Sequence, residues 1–503
     1  MQDAVTIAMP RPGASEASVE EDPWGEDQDA TPARPATDGA AWRIGSWLVP
    51  GLLMGALSVV GAGAPGLWMD ELATWGMATS SWRENWSIVH WTDVTDAPYY
   101  LLMRAWAELF GTSDLALRAP SMLAMTAAAA VIGALGARLF APRTGLVAGV
   151  IFALLPTSTR YAQEARPYAL TLLAAALATL LLVLATDQAG FWRFAAYGAS
   201  ASIVGLSHVV ALLLLAGHGW AVFAFRRKVA GRWLVAAFIG ALPAAGLLWL
   251  GERHAAAMTR IPDLSLFTAT PKELFGATAL SVVLVVLALF SLPLRYAAGI
   301  YTAWAVVPPL MLLLIAQATP IWLPQSLLFT LPAWATLGAA ALCRARAGWG
   351  AGMLVVIALI GLPVQVAFRE PDGHRQATRQ LAEIIEAGMR PGDGVVYGSA
   401  DAEWVGRATV AHYLPADRRP KDLLATGPQR NDSQLLTAEC TDVAKCLGDT
   451  SRLWVVRLGE QKDPIRATGA QKERLLRTRY RVAQVWQQTG LTLALLVADR
   501  ARA

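Results

Sequence analysis

This chain has few charged side chains. They make up 16% of its 503 residues, against about 25% in an ordinary soluble domain. Hydrophobic residues reach 55%, and the mean hydropathy is +0.40. A deficit spread over most of the length excludes a soluble globular protein and indicates a polytopic membrane protein. The net charge of +4 is too small, and the basic residues too scattered among short loops, for a nucleic-acid partner. Cysteine is almost missing, with 3 in the chain. Cys343, near the end of an apolar segment, is expected to be small and buried. Cys440 and Cys446 can form a local disulfide if the polar C-terminal region lies outside the cytoplasm. No second Cys or His pair stands beside them, which argues against zinc. No basic start followed by an apolar core opens the chain, so no secretory signal is read there. Residues 1–40 are instead rich in Asp, Glu, Pro, Ser and Ala, without helical period, and are expected to form a disordered cytoplasmic tail.

A membrane-spanning helix needs about 20 mostly apolar residues. Such segments fall near 45–63, 117–137, 144–160, 168–186, 194–207, 209–225, 233–250, 274–293, 298–317, 325–343 and 350–368, about eleven in all. Arg138 and Arg143, Arg193, Arg226 to Lys228 with Arg232, Arg295, and Arg344 with Arg346 crowd alternate short loops. Basic loops stay in the cytoplasm, so the other loops are expected outside: 64–116, 161–167, the turn at His208, 251–273 and 318–324. The first of these is long and holds Trp68, Trp75, Trp82, Trp86, Trp91 and Trp106. Ser81-Trp82-Arg83-Glu84 has the form of a capping box, and one or two amphipathic helices lying in the interface are expected. From 370 to 503 helix-like runs alternate with apolar strands at Val395–Tyr397, Leu453–Val456 and Leu491–Val497. An odd number of spans places this small α/β domain outside the cytoplasm.

Polar groups collect at the outer ends of the spans. Asp70-Glu71 follows the first apolar segment. Asp96-Ala97-Pro98-Tyr99-Tyr100 opens a later helix. Tyr161-Ala162-Gln163-Glu164-Ala165-Arg166-Pro167-Tyr168 joins two spans. His208, Arg253, His254, Arg260 and Lys272 are scattered beyond. An acid at a membrane mouth is a functional candidate. Each group also has a structural reading: Asp96 as a helix cap, Arg166 as the partner of Glu164, and the charges of 251–273 as a solvated loop.

Trp68-Met69-Asp70-Glu71, Tyr99-Tyr100-Leu101-Leu102, Phe110-Gly111-Thr112-Ser113-Asp114 with Leu117-Arg118-Ala119-Pro120-Ser121, and Tyr161 to Leu170 occur in that order. Together they resemble the GT-C membrane glycosyltransferases of the protein O-mannosyltransferase and aminoarabinose-transferase type (glycosyltransferase family 39-like). They look most like actinobacterial members described as mannosyltransferases. The resemblance covers about 45–370, and Arg390-Pro391-Gly392-Asp393 looks like the tail domain of those members. It implies a GT-C-like membrane domain over 41–369 and an outer domain over 370–503. It also implies a cell-membrane enzyme that moves a sugar, mannose-like, from a polyprenyl phosphate with inversion. The acceptor would be a glycan, lipid or protein at the outer face, and membrane lipid a further partner.

Asp70 is then the expected catalytic base. Glu71, Asp96, Tyr99, Gln163, Glu164, Arg166, Tyr168, His208, Arg260 and Lys272 are expected to bind substrate. A carboxylate would take the proton of the incoming hydroxyl and a cation would receive the departing phosphate. Two departures stand out. Relatives often have His where this chain has Asp96, and an Arg-Tyr pair where it has Pro324-Gln325-Ser326. Phosphate contact is therefore expected from Arg260, Lys272 or Arg166. No cofactor is expected, although Asp70 and Asp96 could share a divalent cation. The rival readings are a transporter or flippase of lipid-linked sugars, or a non-catalytic polysaccharide-assembly subunit. A transporter favours inverted repeats and midmembrane charges, and neither is seen.

Overall fold

The computed structural model describes residues 39–92, 94–251, 264–292, 295–319, 321–398, 400–427 and 437–499. Residues 1–38 of the expected tail, together with Arg253, His254 and Arg260, lie outside the described residues.

The membrane part opens with α1 (Ala40–Val59), α2 (Met69–Thr79), α3 (Trp82–Thr92), α4 (Ala97–Phe110), α5 (Asp114–Leu139), α6 (Pro142–Leu154), α7 (Pro156–Ala162) and α8 (Tyr168–Asp187). Six helices among the described residues are long and apolar enough to cross a membrane, or eight if each of two bent pairs is one span. Expected segments 45–63, 194–207 and 209–225 fall short of that test in length or apolarity. The breaks have local causes. Pro156 starts α7, where its missing N–H costs nothing. It also forces Leu155 out of the helical region, to φ −65°, ψ 128°. The expected span 144–160 is therefore two helices meeting at 69°. In the other pair, Thr268–Phe275 and Thr278–Leu289 meet at 89°. There Gly276 takes φ +86°, and a side chain would also run into the Pro156 ring.

Close helix packing rests on small residues. A Cβ at Gly133 of α5 would collide with the Ser46 carbonyl oxygen of α1, and one at Gly149 of α6 with the Pro50 ring. The long loop after α1, expected to hold one or two amphipathic helices, folds into three short ones, α2 to α4. The capping box forms at α3: Ser81 N–H donates to Glu84 Oε2 at 2.8 Å, and Glu84 N–H to Ser81 Oγ at 3.2 Å. Cys343 departs from expectation. It is exposed, because it sits at the end of Leu331–Arg344, one residue past the buried Leu342.

Residues 394–498 build a five-stranded sheet from β1 (Gly394–Tyr397), β2 (Lys421–Asp422), β3 (Arg452–Leu458), β4 (Tyr480–Gln488) and β5 (Leu491–Ala498), in the order β2-β1-β3-β5-β4. β1 runs parallel to β2 and β3, and β5 antiparallel to β3 and β4. Leu381, Ala382 and Ile385 of the helix Thr378–Gly388 bury against Val395, Tyr397, Trp454 and Val456 of the sheet. Cys440 and Cys446 are joined by a disulfide.

Candidate active site

The acidic pair begins α2, where first-turn carboxylates complement the helix dipole. The approach to this helix is held by the α/β domain. Leu67 N–H donates to the Tyr413 hydroxyl and Met69 N–H to Gln376 Oε1, each at 2.7 Å. Thr378 Oγ1 donates to the Leu67 carbonyl at 2.7 Å. Gly66 N–H reaches the Pro371 carbonyl at 3.3 Å. These bonds fix the segment just before Asp70 from residues about 300 positions later in the chain.

The two acids have opposite surroundings. The Glu71 side chain is 0% exposed, as is Arg118 beside it. Arg118 donates Nε to Oε1 at 2.8 Å and Nη2 to Oε2 at 2.7 Å. Ala165 N–H donates to Oε1 at 2.9 Å, and His374 Nδ1 lies 3.3 Å from Oε2. Arg118 also caps the carbonyls of Ala62, at 2.7 Å, and Pro65, at 2.9 Å. Burial alone would raise the Glu71 carboxyl. The Arg118 guanidinium and the His374 hydrogen bond outweigh it and hold the group far below the usual carboxylate range. His374 is pushed down to about 3 by burial, with Arg160 adding to that and Glu71 opposing. It is neutral, so its contact with Glu71 is a hydrogen bond rather than an ion pair. Glu71 therefore has no surface to offer a substrate. It joins the loop, α5 and the α/β domain, and the substrate-binding role expected of it finds no exposed surface on this side chain.

Asp70 is 30% exposed. Burial raises its pKa above the ordinary value, Arg166 opposes this, and Glu71 reinforces it. Arg166 Nε stands 3.9 Å from Asp70, and its Nη2 lies 3.2 Å from Asp96. Its Nη1 donates to the Tyr100 hydroxyl at 3.3 Å. Asp96 occupies the N-cap position of α4 but makes no side-chain cap bond. Its carboxyl is raised by burial, against the pull of Arg166. The guanidinium lies between Asp70 and Asp96. Among the described residues no group of three or more His, Cys, Asp or Glu could hold a metal ion.

Glu164 does not pair with Arg166. Its Oε2 meets Arg160 of α7 at 2.7 Å, and its Oε1 accepts from Trp68 Nε1 at 3.1 Å. Burial pushes its carboxyl up to about 7, with Arg160 opposing and Glu71 and Asp70 adding to the rise. Gln163 also turns inward, donating Nε2 to the carbonyls of Ser58 at 2.9 Å and Val60 at 2.8 Å. It anchors the end of α1 rather than facing a ligand. Tyr168 packs edge-on against Tyr161 at 5.4 Å and lies 5.7 Å from His208. The Tyr99 ring is buried among the residues of the loop helices. Lys272 is exposed on the helix Leu264–Phe275. No contact joins it to these acids among the described residues, and Arg260 lies outside them.

Arg118, Arg160 and His374 carry much of this network, though in the sequence Arg118 is only one member of a quoted motif and Arg160 and His374 carry no expected role. Arg118 had a signal: an arginine inside an apolar run is costly unless it is paired. His374 had none, because its partner Glu71 is 303 residues away.

The family model for dolichyl-phosphate-mannose-protein mannosyltransferase matches residues 97–249. That stretch includes Gln163, Glu164 and Arg166 but not Asp70. Among curated protein sequences none is similar to this chain. Solved structures are. ArnT from Cupriavidus metallidurans bound to undecaprenyl phosphate superposes with TM-score 0.57 at 13% identity, covering 91% of this chain and 98% of that one. The apo state of the same protein gives TM-score 0.59 at 12% identity, covering 89% and 97%. AglB from Archaeoglobus fulgidus, an archaeal oligosaccharyltransferase, gives 0.49 at 12% identity, covering 92% and 75%. The two ArnT structures run nearly the full length of both chains. This chain has their fold and is a multi-pass membrane protein.

Proposed function

We propose that this protein is an inverting glycosyltransferase that moves a mannose-like hexose from a polyprenyl-phosphate donor to an acceptor at the outer face of the membrane. The observation that carries the reading is the split between two adjacent acids. Glu71 is sealed and neutralised by Arg118, while Asp70 keeps 30% of its side chain exposed beside Arg166. A carboxyl raised by burial is a tuned base. The fold of ArnT, a protein crystallised with undecaprenyl phosphate, and the mannosyltransferase family match over 97–249 support the donor class.

Asp70 takes the proton of the acceptor hydroxyl as that oxygen bonds to the sugar C1. The C1–O bond to phosphate breaks with its electron pair going to the phosphate oxygen. Attack from the side opposite the phosphate inverts C1. Arg166 and Asp96 hold Asp70 in place and keep a second, raised carboxyl within reach of the acceptor. Purified protein given a panel of polyprenyl-phosphate sugars should transfer one of them, most readily a mannose-like hexose. Failure with every donor in the panel removes the enzyme reading. The sidedness has its own test. A reporter active only outside the cytoplasm, fused after Ala503, should be active, whereas a cytoplasmic signal would put the acids on the wrong face.

A further inference from the structure

The two arginines beside the acids are committed to different degrees. Arg166 distributes its guanidinium over Asp96 at 3.2 Å, the Tyr100 hydroxyl at 3.3 Å and Asp70 at 3.9 Å. Arg160 has one acidic partner among the described residues, Glu164 Oε2 at 2.7 Å. Its guanidinium otherwise lies over the rings of Trp68 at 5.9 Å and Tyr161 at 5.8 Å. The Arg160 side chain is 12% exposed and that of Glu164 1%. Trp68, two residues before Asp70, donates to the other oxygen of Glu164 at 3.1 Å. Glu164 therefore keeps a partner when Arg160 turns away, and Arg160 can turn without breaking the Trp68–Glu164 bond.

We propose that Arg160 is the cation that binds the phosphate monoester of the lipid carrier, and that Glu164 is the counter-ion this phosphate displaces. The assignment rests on the glycosyl-transfer reading above. Breaking the C1–O bond leaves its electron pair on phosphate oxygen, so the carrier's charge grows from one negative toward two. The acceptor proton is on Asp70, a different carboxyl from the Glu164 that pairs with Arg160. A planar guanidinium over aromatic faces is suited to gripping such a group with two parallel hydrogen bonds. Glu164 faces Arg160, Glu71, Asp70, Arg166 and the Trp68 indole. Proton uptake by Glu164 removes the competitor and releases Arg160. The geometry also supplies a cation in a chain that has Pro324-Gln325-Ser326 near its last outer turn.

The test is binding of sugar-free polyprenyl phosphate to the purified full chain in detergent, with inorganic phosphate as a second arm. Arg160→Ala should weaken polyprenyl phosphate binding about tenfold or more, and Arg160→Lys should fall between it and the parent. Glu164→Gln should bind more tightly than the parent, a direction that a misfolded protein cannot imitate. The parent should lose affinity as Glu164 ionises, between about pH 6.5 and about 8, and Glu164→Gln should not. Parent-like binding in Arg160→Ala, or weaker binding in Glu164→Gln, overturns the assignment of Arg160 alone. Inorganic phosphate binding as well as the lipid overturns the lipid source. A parent that binds neither ligand overturns the donor reading itself, and this assignment with it.

Discussion

Asp70→Asn is expected to lower turnover by about 10²–10⁴ while leaving the protein folded. The amide has the shape of the carboxylate but cannot accept the acceptor's proton. Nothing in the fold depends on that carboxylate in the way the loop depends on Glu71. The segment before Asp70 is fixed through backbone groups by Tyr413, Gln376 and Thr378, and these bonds survive the substitution. The loss should therefore appear in kcat, with donor KM nearly kept, since the phosphate contact assigned to Arg160 is untouched. The parent's pH profile adds a second mark. A base must be ionised to act, and the Asp70 carboxyl titrates above its ordinary value of 3.8 because of burial. Turnover should rise with pH through that raised pKa, on an acid limb displaced upward from that of an exposed aspartate. Equal turnover in Asp70→Asn and parent, at equal amounts of folded protein, would remove Asp70 from the chemistry.

Asp70 stands out in the sequence as a candidate because an acid just past an apolar span has few structural uses. The burial of Glu71 does not, because adjacent letters look equivalent, whereas a helix turns consecutive side chains about 100° apart. One of the pair keeps part of its carboxylate exposed and the other meets Arg118. The order and approximate place of the apolar segments could also be read, but their continuity could not: Leu155 is pushed out of the helix by Pro156, and Gly276 breaks the second bent pair with a positive φ. In the α/β domain the strands near 395, 453 and 491 follow from apolar runs. β4 escaped notice because a bulge between Val482 and Gln484 interrupts the two-residue alternation that marks a strand, and most of its side chains are exposed. The pairing of charges was the least readable part. Arg166 and Glu164 are neighbours in sequence. Their partners are Asp96 and Asp70 for the first, 70 and 96 residues away, and Arg160 for the second. Only the packing of α4, α2 and α7 around the 163–167 turn decides this.

Arg118→Met is expected to produce the largest loss of stability of any single change near the site, about 3–5 kcal/mol. The argument is one of desolvation. Glu71 and Arg118 are both fully enclosed, and a carboxylate without its guanidinium has no water to replace it. The same substitution strips donors from the Ala62 and Pro65 carbonyls, so the turn leading to Asp70 loosens as well. Replacing both residues, as Glu71→Met with Arg118→Met, should cost less than the single change. It should not restore the parent, because Ala165 N–H would lose its acceptor. The pH dependence follows from the same triad. Glu71 is held below its ordinary value of 4.5 by Arg118 against burial, so its contribution is complete above that value and is lost as pH falls. His374 is depressed from 6.5 to about 3 by burial. Below about pH 6.5 the unfolded chain gains a proton that the folded chain refuses. Both groups make the unfolded state bind more protons in acid, so stability should fall from about pH 6.5 downward. Thermal unfolding in detergent, read for parent, single and double variants across that range, checks all of this. An Arg118→Met protein that unfolds within about 1 kcal/mol of the parent, with the same acid dependence, would show that the pair does not hold the α/β domain to the loop.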